Sequence, residues 1–311
     1  MTERSNISKK TPAPPEPERR APLPGRNPKS PADDPAARAR LDAIMASPSY
    51  RLAVEDQSFL DGPAARGARL QLDYLKAEGG LRDAGIERCV VVFGSTRLCE
   101  PAEAKRRVEA ARKAVATTED KRAAAFALKA AENVEKLSRY YEVAREFGRL
   151  VSLTDPSGPG KMRIMTGGGP GIMEAANRGA FDAGGQSVGL NIHLPHEQYP
   201  NPYITPGLCF QFHYFAMRKL HFLQRAVALV AFPGGYGTFD ELFEVLTLAQ
   251  TRKIKPIPIV LVGEAFWRSA VNFDFLAEQG VIDPEDRELF WFAETGQEIF
   301  DAIRQWERAK S

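Results

Sequence analysis

The sequence has 311 residues, 43% of them hydrophobic, with a formal net charge of +2 and three cysteines. This length and apolar content allow one large domain or two small ones. The nearly balanced charge argues against nucleic acid or a membrane surface as the principal partner, and no apolar run is long enough to span a bilayer. The cysteines have no CxxC spacing, so we expect a reduced, cytoplasmic protein rather than a disulfide scaffold or a zinc site.

The first 48 residues are rich in Pro, Ala, Arg and Glu and contain few large apolar side chains. A segment of this composition cannot bury enough surface to offset its chain entropy. It also lacks the apolar core of a secretory signal. We therefore expect a disordered Pro-rich tail at residues 1–48, followed by a single α/β domain at residues 49–311.

The first part of the expected domain contains a short strand that follows a helical region. Residues 50–80 have the spacing of one or two amphipathic helices that end at Gly79 and Gly80. The apolar run Cys89–Phe93 predicts a buried strand, and small residues, Gly94 and Ser95, follow it. This strand end is therefore compatible with a bound phosphate.

A long region rich in Ala, Glu, Lys and Arg, residues 101–150, predicts helices. Thr117 and Thr118, followed by acidic residues, predict the start of a second helix in this region. Apolar residues spaced by three and four predict a helix with one buried face; they are Val134, Leu137, Tyr141, Ala144 and Phe147.

Two glycine-rich turns each follow a predicted strand and precede a predicted helix. In the first, Lys161–Met165 is the strand, Thr166–Gly171 the turn and Ile172–Ala183 the helix. In the second, the strand Ala228–Phe232 ends at a Pro-Gly-Gly-Tyr-Gly turn, and a helix is predicted to begin at Thr238. The free N–H groups and positive dipole end of such a helix start suit an anion such as phosphate.

Three predicted strands thus end in small residues. In an open parallel sheet these carboxyl ends lie along one edge, where ligands bind. Neither glycine turn is a GxGxxG dinucleotide fingerprint, and neither contains the GK[ST] of a P-loop. We predict a Rossmann-like α/β fold, an open parallel sheet with helices on both faces, and a nucleoside monophosphate or similar ligand rather than NAD or ATP.

Two further strands are predicted. Ser187–Ile192 predicts one strand and Ile257–Val262 a last one, with Pro256 and Pro258 indicating either an edge position or a strand start. Aromatic residues crowd the segment 199–215, where core packing or a dimer contact is favoured over base stacking. A helix is predicted at Phe212–Arg225, and helices that cover the sheet are predicted from residue 265 to residue 310.

The two glycine motifs, GGGPGIM at Gly167–Met173 and PGGYGTFDE at Pro233–Glu241, with Met217-Arg218-Lys219 upstream of the second, resemble the LOG family, long mislabelled as lysine decarboxylases. Its members are phosphoribohydrolases that cleave the N-glycosidic bond of nucleoside 5′-monophosphates, including cytokinin nucleotides. The similarity covers residues 88–263. The resemblance implies a hydrolase of this class.

Glu241 is the candidate catalytic carboxylate. Glycosidic cleavage passes through an oxocarbenium-like state that needs a carboxylate near the sugar. The spacing Thr238-Phe-Asp-Glu241 equally fits a capping box, in which Glu241 only closes the helix start. The resemblance favours catalysis or contact with the ribose hydroxyls, since Glu241 occupies the last acidic position of the family motif. Asp240 could share either task.

Arg218 is the second catalytic candidate. On a helix, Arg218 and Lys219 could simply be solvated charges. The resemblance assigns Arg218 to the catalytic arginine of a Met-x-x-Arg-Lys pattern, although Phe215 occupies the methionine position here. Its implied role is to bind phosphate or to neutralise the departing base, with Lys219 in support.

The glycine turns supply most of the predicted substrate contacts. Residues 234–238 would hold the 5′-phosphate, and residues 167–171 would form the opposite wall. Met173 either contacts the base or packs in the core. The resemblance implies that a threonine near Thr247 contacts the substrate. Glu197 is a candidate ligand of the sugar. The predicted substrate-binding residues are Gly94, Ser95, Gly167, Gly168, Gly169, Gly171, Met173, Glu197, Lys219, Gly234, Gly235, Tyr236, Gly237, Thr238, Asp240 and Thr247.

The predicted function is hydrolysis of a nucleoside 5′-monophosphate, of the AMP or cytokinin riboside type, to free base and ribose 5-phosphate. The alternative is a carrier without catalysis that binds a nucleotide or molybdenum cofactor, as related folds do. No cofactor is expected, and the four histidines lack metal-site spacing. Lysine decarboxylation is disfavoured because no lysine has an evident pyridoxal phosphate setting. A homodimer or higher homo-oligomer is expected.

Overall fold

The computed structural model describes residue 25 and residues 27–153, 161–195 and 199–310. Internal contacts divide the chain into two compact units, Met1–Arg66 and Gly67–Ser311. The first unit contains helices α1 (Ala37–Ala46) and α2 (Gln57–Asp61). Residues 1–24 and 26 of the predicted tail lie outside the described residues. Helix α1 lies in the part of the predicted tail that is described. The domain boundary after residue 48 stays a prediction.

The described residues of the second unit contain seven strands. They are β1 (Cys89–Phe93), β2 (Arg163–Thr166), β3 (Ser187–Ile192), β4 (Cys209–Phe212), β5 (Ala226–Ala231), β6 (Ile259–Val262) and β7 (Trp291–Ala293). Helix α3 (Arg66–Asp83) begins at the boundary between the units. The helices that follow are α4 (Pro101–Thr117), α5 (Lys121–Leu137), α6 (Arg139–Leu153), α7 (Ile172–Asp182), α8 (Phe215–Gln224), α9 (Tyr236–Gln250), α10 (Glu264–Ala270), α11 (Phe273–Glu278) and α12 (Gly296–Lys310). Within the described ranges, no helix combines the length and apolarity needed to cross a membrane.

The strands form one sheet in the order β4-β3-β2-β1-β5-β6-β7, and every neighbouring pair is parallel. Parallel strands need helical crossovers, and strands β1, β3 and β6 are buried on both faces. The chain starts at β1, builds outward to β4, and returns to the other side of β1 with β5. The order therefore reverses between β1 and β5, which is where open α/β sheets place their ligand crevice. The predicted Rossmann-like fold is confirmed.

Two hydrophobic layers cover the sheet. Val91 and its same-face neighbours pack against α3, α8, α9 and α10, while Val90 and Val92 pack against α6, α7 and α12. The alternation follows from the pleat, which sends successive side chains to opposite faces. Helices α8 and α9 therefore share one layer, on the same side of β5.

Two strands were missed from sequence. Segment 209–212 forms β4, so the helix predicted from Phe212 begins only at Phe215. Its burial alternates between exposed and buried because β4 lies at the edge of the sheet, which hides the apolar-run signal. The short β7 follows β6, so the predicted last strand is not last. Strand β6 lies between β5 and β7, and Pro258 directly precedes it; of the two alternatives, the strand start is correct.

Helix boundaries between α3 and α6 also differ from prediction. Helix α3 continues past Gly79 and Gly80, and Gly80 lies so close to Phe210 that an added Cβ would be 2.5 Å from its ring. Helix α5 is capped by Asp120, which accepts a 2.9 Å hydrogen bond from the Ala123 N–H, and not by a threonine. The apolar series predicted as one helix is divided between α5 and α6 at Ser138.

Candidate active site

A cavity of about 850 Å³ opens at the carboxyl ends of the central strands. Its walls come from the segments after β1, β2 and β5, and from α5, α8 and α9. The segments after β1 and β5 are joined by a 3.0 Å hydrogen bond from the Ser95 N–H to the Pro233 carbonyl. The cavity thus occupies the crevice that the strand order predicts.

The structure brings most of the predicted site residues together around this cavity. Those that line it are Gly94, Ser95, Gly167, Met173, Arg218, Gly234, Gly235, Tyr236, Gly237, Thr238 and Glu241. The predicted residues that do not line it are Gly168, Gly169, Gly171, Lys219, Asp240 and Thr247. Glu197 lies outside the described residues.

Helix α9 begins at Tyr236, two residues before the predicted start, with Gly235 as its N-cap. The Gly235 carbonyl accepts hydrogen bonds from the N–H groups of Thr238 (2.9 Å) and Phe239 (3.1 Å). Since the first N–H groups of a helix have no partner within it, this end of α9 presents donors and positive charge to the cavity. At Gly234 a Cβ would lie 2.1 Å from the Thr238 hydroxyl, so only glycine fits.

This helix start also tests the capping interpretation of the Thr238–Glu241 spacing. In a capping box, the Glu241 carboxylate would accept the Thr238 N–H. That N–H instead donates to the Gly235 carbonyl, and Glu241 lies in the helix interior. The capping interpretation is therefore wrong, and the Glu241 carboxylate is turned toward α8.

Arg218 on α8 and Glu241 on α9 form a buried pair at the cavity wall. The Arg218 Nη2 donates to the Glu241 Oε1 at 3.4 Å, and their side chains are 14% and 6% exposed. The guanidinium also lies 4.8 Å from the ring centre of Phe215 and 5.7 Å from that of Phe222. Among the described residues, the buried Arg218 Nε has no hydrogen-bond partner. The pair therefore retains hydrogen-bonding capacity for a polar ligand.

Burial shifts both members of this pair toward their neutral forms. It lowers the pKa of Arg218, against the opposing charge of Glu241. Burial also raises the pKa of Glu241 to about 7, although the charges of Lys219 and Arg218 act in the other direction. A carboxyl group that titrates near neutral pH, inside a cavity and beside an arginine, is a typical feature of a functional site.

Lys219 and Asp240 lie behind the cavity wall. The Lys219 Nζ contacts the Asp240 Oδ2 at 2.8 Å and the Glu244 Oε2 at 3.0 Å. These contacts tie α8 to α9 and hold Arg218 opposite Glu241. Farther along α9, the exposed Thr247 donates its hydroxyl to the Phe243 carbonyl at 2.7 Å.

Buried side chains that sequence reasoning missed hold the first glycine turn in place. The Gly168 N–H donates to the Thr166 hydroxyl at 2.9 Å, and that hydroxyl donates to the Asn177 Oδ1 at 2.7 Å. The Asn201 Nδ2 donates to the Gly169 carbonyl and to the Asn177 Oδ1, both at 3.0 Å. One signal was available: Asn177 is a polar residue beside the apolar face of α7.

Gly168 and Gly171 serve the geometry of this turn. Their φ angles are +71° and +76°, which other residues rarely adopt. A Cβ on Gly168 would lie 2.1 Å from the Asn191 Oδ1, and one on Gly171 would lie 2.3 Å from the Ser95 carbonyl oxygen. The two glycines thus let the turn approach β3 on one side and the segment after β1 on the other.

Several further residues of the cavity were not predicted. Arg97 lines it beside Ser95, and the apolar side chains of Val134 and Leu137 reach it from α5. The spacing of the two apolar residues predicted a buried face but not that this face meets the site, because that depends on where the α4–α5 hairpin docks. No group of three or more His, Cys, Asp or Glu within the described ranges could hold a metal ion.

The sequence of this chain matches a family model and several known proteins. Residues 173–303 match the family model described as possible lysine decarboxylase. The chain is 30% identical over 177 residues to cytokinin riboside 5'-monophosphate phosphoribohydrolase LOG3 of Arabidopsis thaliana, covering 55% of this chain and 77% of that protein. It is 29% identical over 152 residues to the probable cytokinin riboside 5'-monophosphate phosphoribohydrolase LOGL3 of Oryza sativa subsp. japonica, covering 46% of this chain and 68% of that protein.

Among solved structures, the Moco carrier protein of Chlamydomonas reinhardtii is similar with a TM-score of 0.42 and 17% identity, over 70% of this chain and 96% of that one. The fold and cavity define an α/β protein with a helix N-terminus at the switch point of its sheet. Because the chain is 30% identical to LOG3 and covers 77% of that protein, it belongs to the LOG family.

Proposed function

We propose that the protein is a nucleoside 5′-monophosphate phosphoribohydrolase, which hydrolyses the N-glycosidic bond to give a free base and ribose 5-phosphate. The observation that carries this proposal is the buried Arg218–Glu241 pair in the same cavity as the N-terminus of α9. A phosphate at the helix start would place the ribose next to the pair. The names of the matched relatives describe the same class of reaction.

In this proposal, the segment 234–238 binds the 5′-phosphate through the backbone N–H groups of residues 234–237, since the Thr238 N–H already donates to the Gly235 carbonyl. The carboxylate of Glu241 stabilises the positive charge that develops on the ribose ring in the transition state. Its low exposure strengthens this interaction, because little water competes for the charge. The site is therefore better matched to the transition state than to the neutral sugar of the substrate.

The bond changes are those of a simple hydrolysis. The oxygen of a water molecule forms a bond to C1′ while the bond from C1′ to the base nitrogen breaks, and its electron pair leaves with the base. The water loses one proton and the base gains one. Because Arg218 lies beside Glu241, we assign to its guanidinium the negative charge that builds up on the departing base.

The cavity has room for more than a plain nucleotide. Its volume of about 850 Å³ is near the upper end of the range for small-molecule sites, about 300 to 1,000 Å³. Apolar side chains line much of it, including Leu98, Val134 and Leu137. These features support a base with an apolar substituent, so we propose a cytokinin riboside 5′-monophosphate type of substrate ahead of AMP.

A substrate panel tests the proposal. The purified protein is incubated with AMP, GMP, CMP, UMP and N6-isopentenyl AMP, and free base and ribose 5-phosphate are both quantified. We expect equal amounts of the two products, fastest from N6-isopentenyl AMP. The Glu241→Gln variant, purified in the same way, controls for a contaminating enzyme. If folded protein releases base from none of the five, the proposal is wrong and the carrier alternative gains weight.

A further inference from the structure

Arg97 is a cation of the cavity to which the proposed reaction assigns no role. The charged residues that line the cavity, within the described ranges, are Arg97, Arg218 and Glu241. We propose that Arg97 binds the 5′-phosphate of the substrate together with the N-terminus of α9. This inference rests on the proposed function for the identity of the ligand.

The backbone places Arg97 next to both glycine turns. The Ser95 N–H donates to the Pro233 carbonyl at 3.0 Å, and the Ser95 carbonyl accepts the Ile172 N–H at 3.1 Å. The Arg97 N–H in turn donates to the Ser95 hydroxyl at 3.1 Å. The turn that carries Arg97 is therefore bonded to the first residue of the second glycine turn and to the residue that follows the first turn.

The charges in the cavity leave the phosphate without a full counter-charge unless Arg97 contributes. A phosphate monoester carries about −1.5 to −2 charges at neutral pH, whereas a helix N-terminus supplies roughly +0.5. When Glu241 is ionised, its charge is balanced by Arg218 at 3.4 Å. Arg97 is the lining cation that remains for the phosphate.

Arg97 is also free to take this role. Across the described ranges it forms no ion pair, whereas Arg106 and Arg107 on the nearby α4 are both paired with Glu103. Its side chain is exposed at the cavity. The planar fork of a guanidinium matches two oxygens of a phosphate group.

The test measures binding of ribose 5-phosphate, which carries the phosphate but no bond to cleave, by calorimetry. We expect Arg97→Gln to weaken its binding at least about tenfold, as for a lost charged hydrogen bond, and Arg97→Lys to weaken it less. Adenosine, which has no phosphate, should bind the variants and the unmutated protein equally. Arg122→Gln, at an exposed position of α5 that does not line the cavity, is the matched loss of one charge and should change nothing.

Steady-state kinetics on the fastest nucleotide of the panel give a second readout. Arg97→Gln should raise KM with little change in kcat, because the contact is made equally in the ground state and the transition state. A fall in kcat at unchanged KM would contradict a binding role.

The inference and the proposed function fail in different ways. If Arg97→Gln binds ribose 5-phosphate within about twofold of the unmutated protein, or Arg122→Gln weakens binding as much, the inference is overturned even when base is released. Absence of binding by the unmutated protein overturns it too. If binding depends on Arg97 but no nucleotide is cleaved, Arg97 stands as a phosphate ligand and the hydrolase is wrong.

Discussion

Glu241 is a carboxyl group that the folded protein disfavours in its charged form. Burial raises its pKa from 4.5 to about 7, so the folded state binds the proton more tightly than the unfolded chain does. The stability that the protonated form contributes is fully present below pH 4.5 and is lost as the pH rises through about 7. At alkaline pH the protein therefore retains a charged side chain that reduces its stability.

Replacing this carboxylate should separate stability from activity. We expect Glu241→Gln to raise the free energy of unfolding at pH 8 by up to about 3 kcal/mol, at about 1.4 kcal/mol per pKa unit, and to have little effect at pH 4.5. The same variant should lose about a hundredfold or more in kcat, because the charge that stabilises the transition state is gone. Denaturant unfolding at the two pH values and base release at pH 8 measure the two effects.

The exposed Glu109→Gln on α4 is the control, with neither effect expected. A loss of activity smaller than about tenfold would contradict the catalytic assignment of Glu241. A less stable Glu241→Gln protein at pH 8 would contradict the raised pKa.

Lys219 should influence the reaction through the pKa of Glu241, without contacting the substrate. Its positive charge lowers the pKa of Glu241, so Lys219→Met should raise that pKa further. The acidic limb of the profile of kcat/KM against pH, near pH 7 in the unmutated protein, should move to higher pH. Asp240→Asn is the informative comparison, because Asp240 raises the pKa of Glu241 and its removal should move the limb the other way. If the acidic limb lies at the same pH in the unmutated protein and in both variants, the effect of these two charges on the pKa of Glu241 is contradicted.

At the residue scale, sequence identified the chemical groups but not their partners. Arg218 and Glu241 were predicted from the motif resemblance, whereas their contact depends on α8 and α9 packing in one layer. Spacing alone could not separate a cap from a catalytic carboxylate, because a helix start two residues earlier changes the answer. Asn201 is distant from Gly169 in sequence, so only the fold could bring it there.

At the element scale, the α4–α5 hairpin adds an apolar wall to the cavity. Leu137 and Val134 line it from α5, a helix with no fully buried residue. We expect Leu137→Asn to reduce the preference for N6-isopentenyl AMP over AMP by about tenfold, the order expected for small changes in an apolar pocket. The ratio of the two kcat/KM values measures this preference.

Phe126→Asn provides the control on the same helix, since Phe126 is 78% exposed and does not line the cavity. An unchanged ratio in Leu137→Asn would mean that the hairpin does not contact the base. A fall of equal size in both variants would point to a general loss of the hairpin instead.

The predicted elements differed in accuracy for physical reasons. Strands β1 and β3 were predicted with the observed bounds, since β1 is a continuous apolar run and the glycines at 184 and 185 limit β3 on its N-terminal side. Strands β4 and β7 are short and partly exposed, so their sequences carry little of that signal. The break between α5 and α6 was missed because Ser138 does not interrupt the apolar spacing.

At the scale of the whole molecule, the homo-oligomer stays a prediction. The described residues of α3 and α8 expose Leu72 (58%), Leu75 (51%) and Leu220 (41%), and surfaces of this kind mark association sites when they are contiguous. We expect light scattering to give a mass at least twice that of the 34.4 kDa chain. Leu75→Lys should shift this mass toward the monomer, and Val281→Lys, at another exposed apolar position, should not. A monomeric mass for the unmutated protein would contradict the prediction.

The closeness of Gly168 to Asn191 bears on how this protein can change in evolution. A side chain at position 168 would collide with the Asn191 Oδ1, and the φ of +71° restricts the choice of residue further. A homologous protein with a larger residue at position 168 would need a smaller one at position 191. We therefore expect the two positions to covary among homologues, although neither lines the cavity.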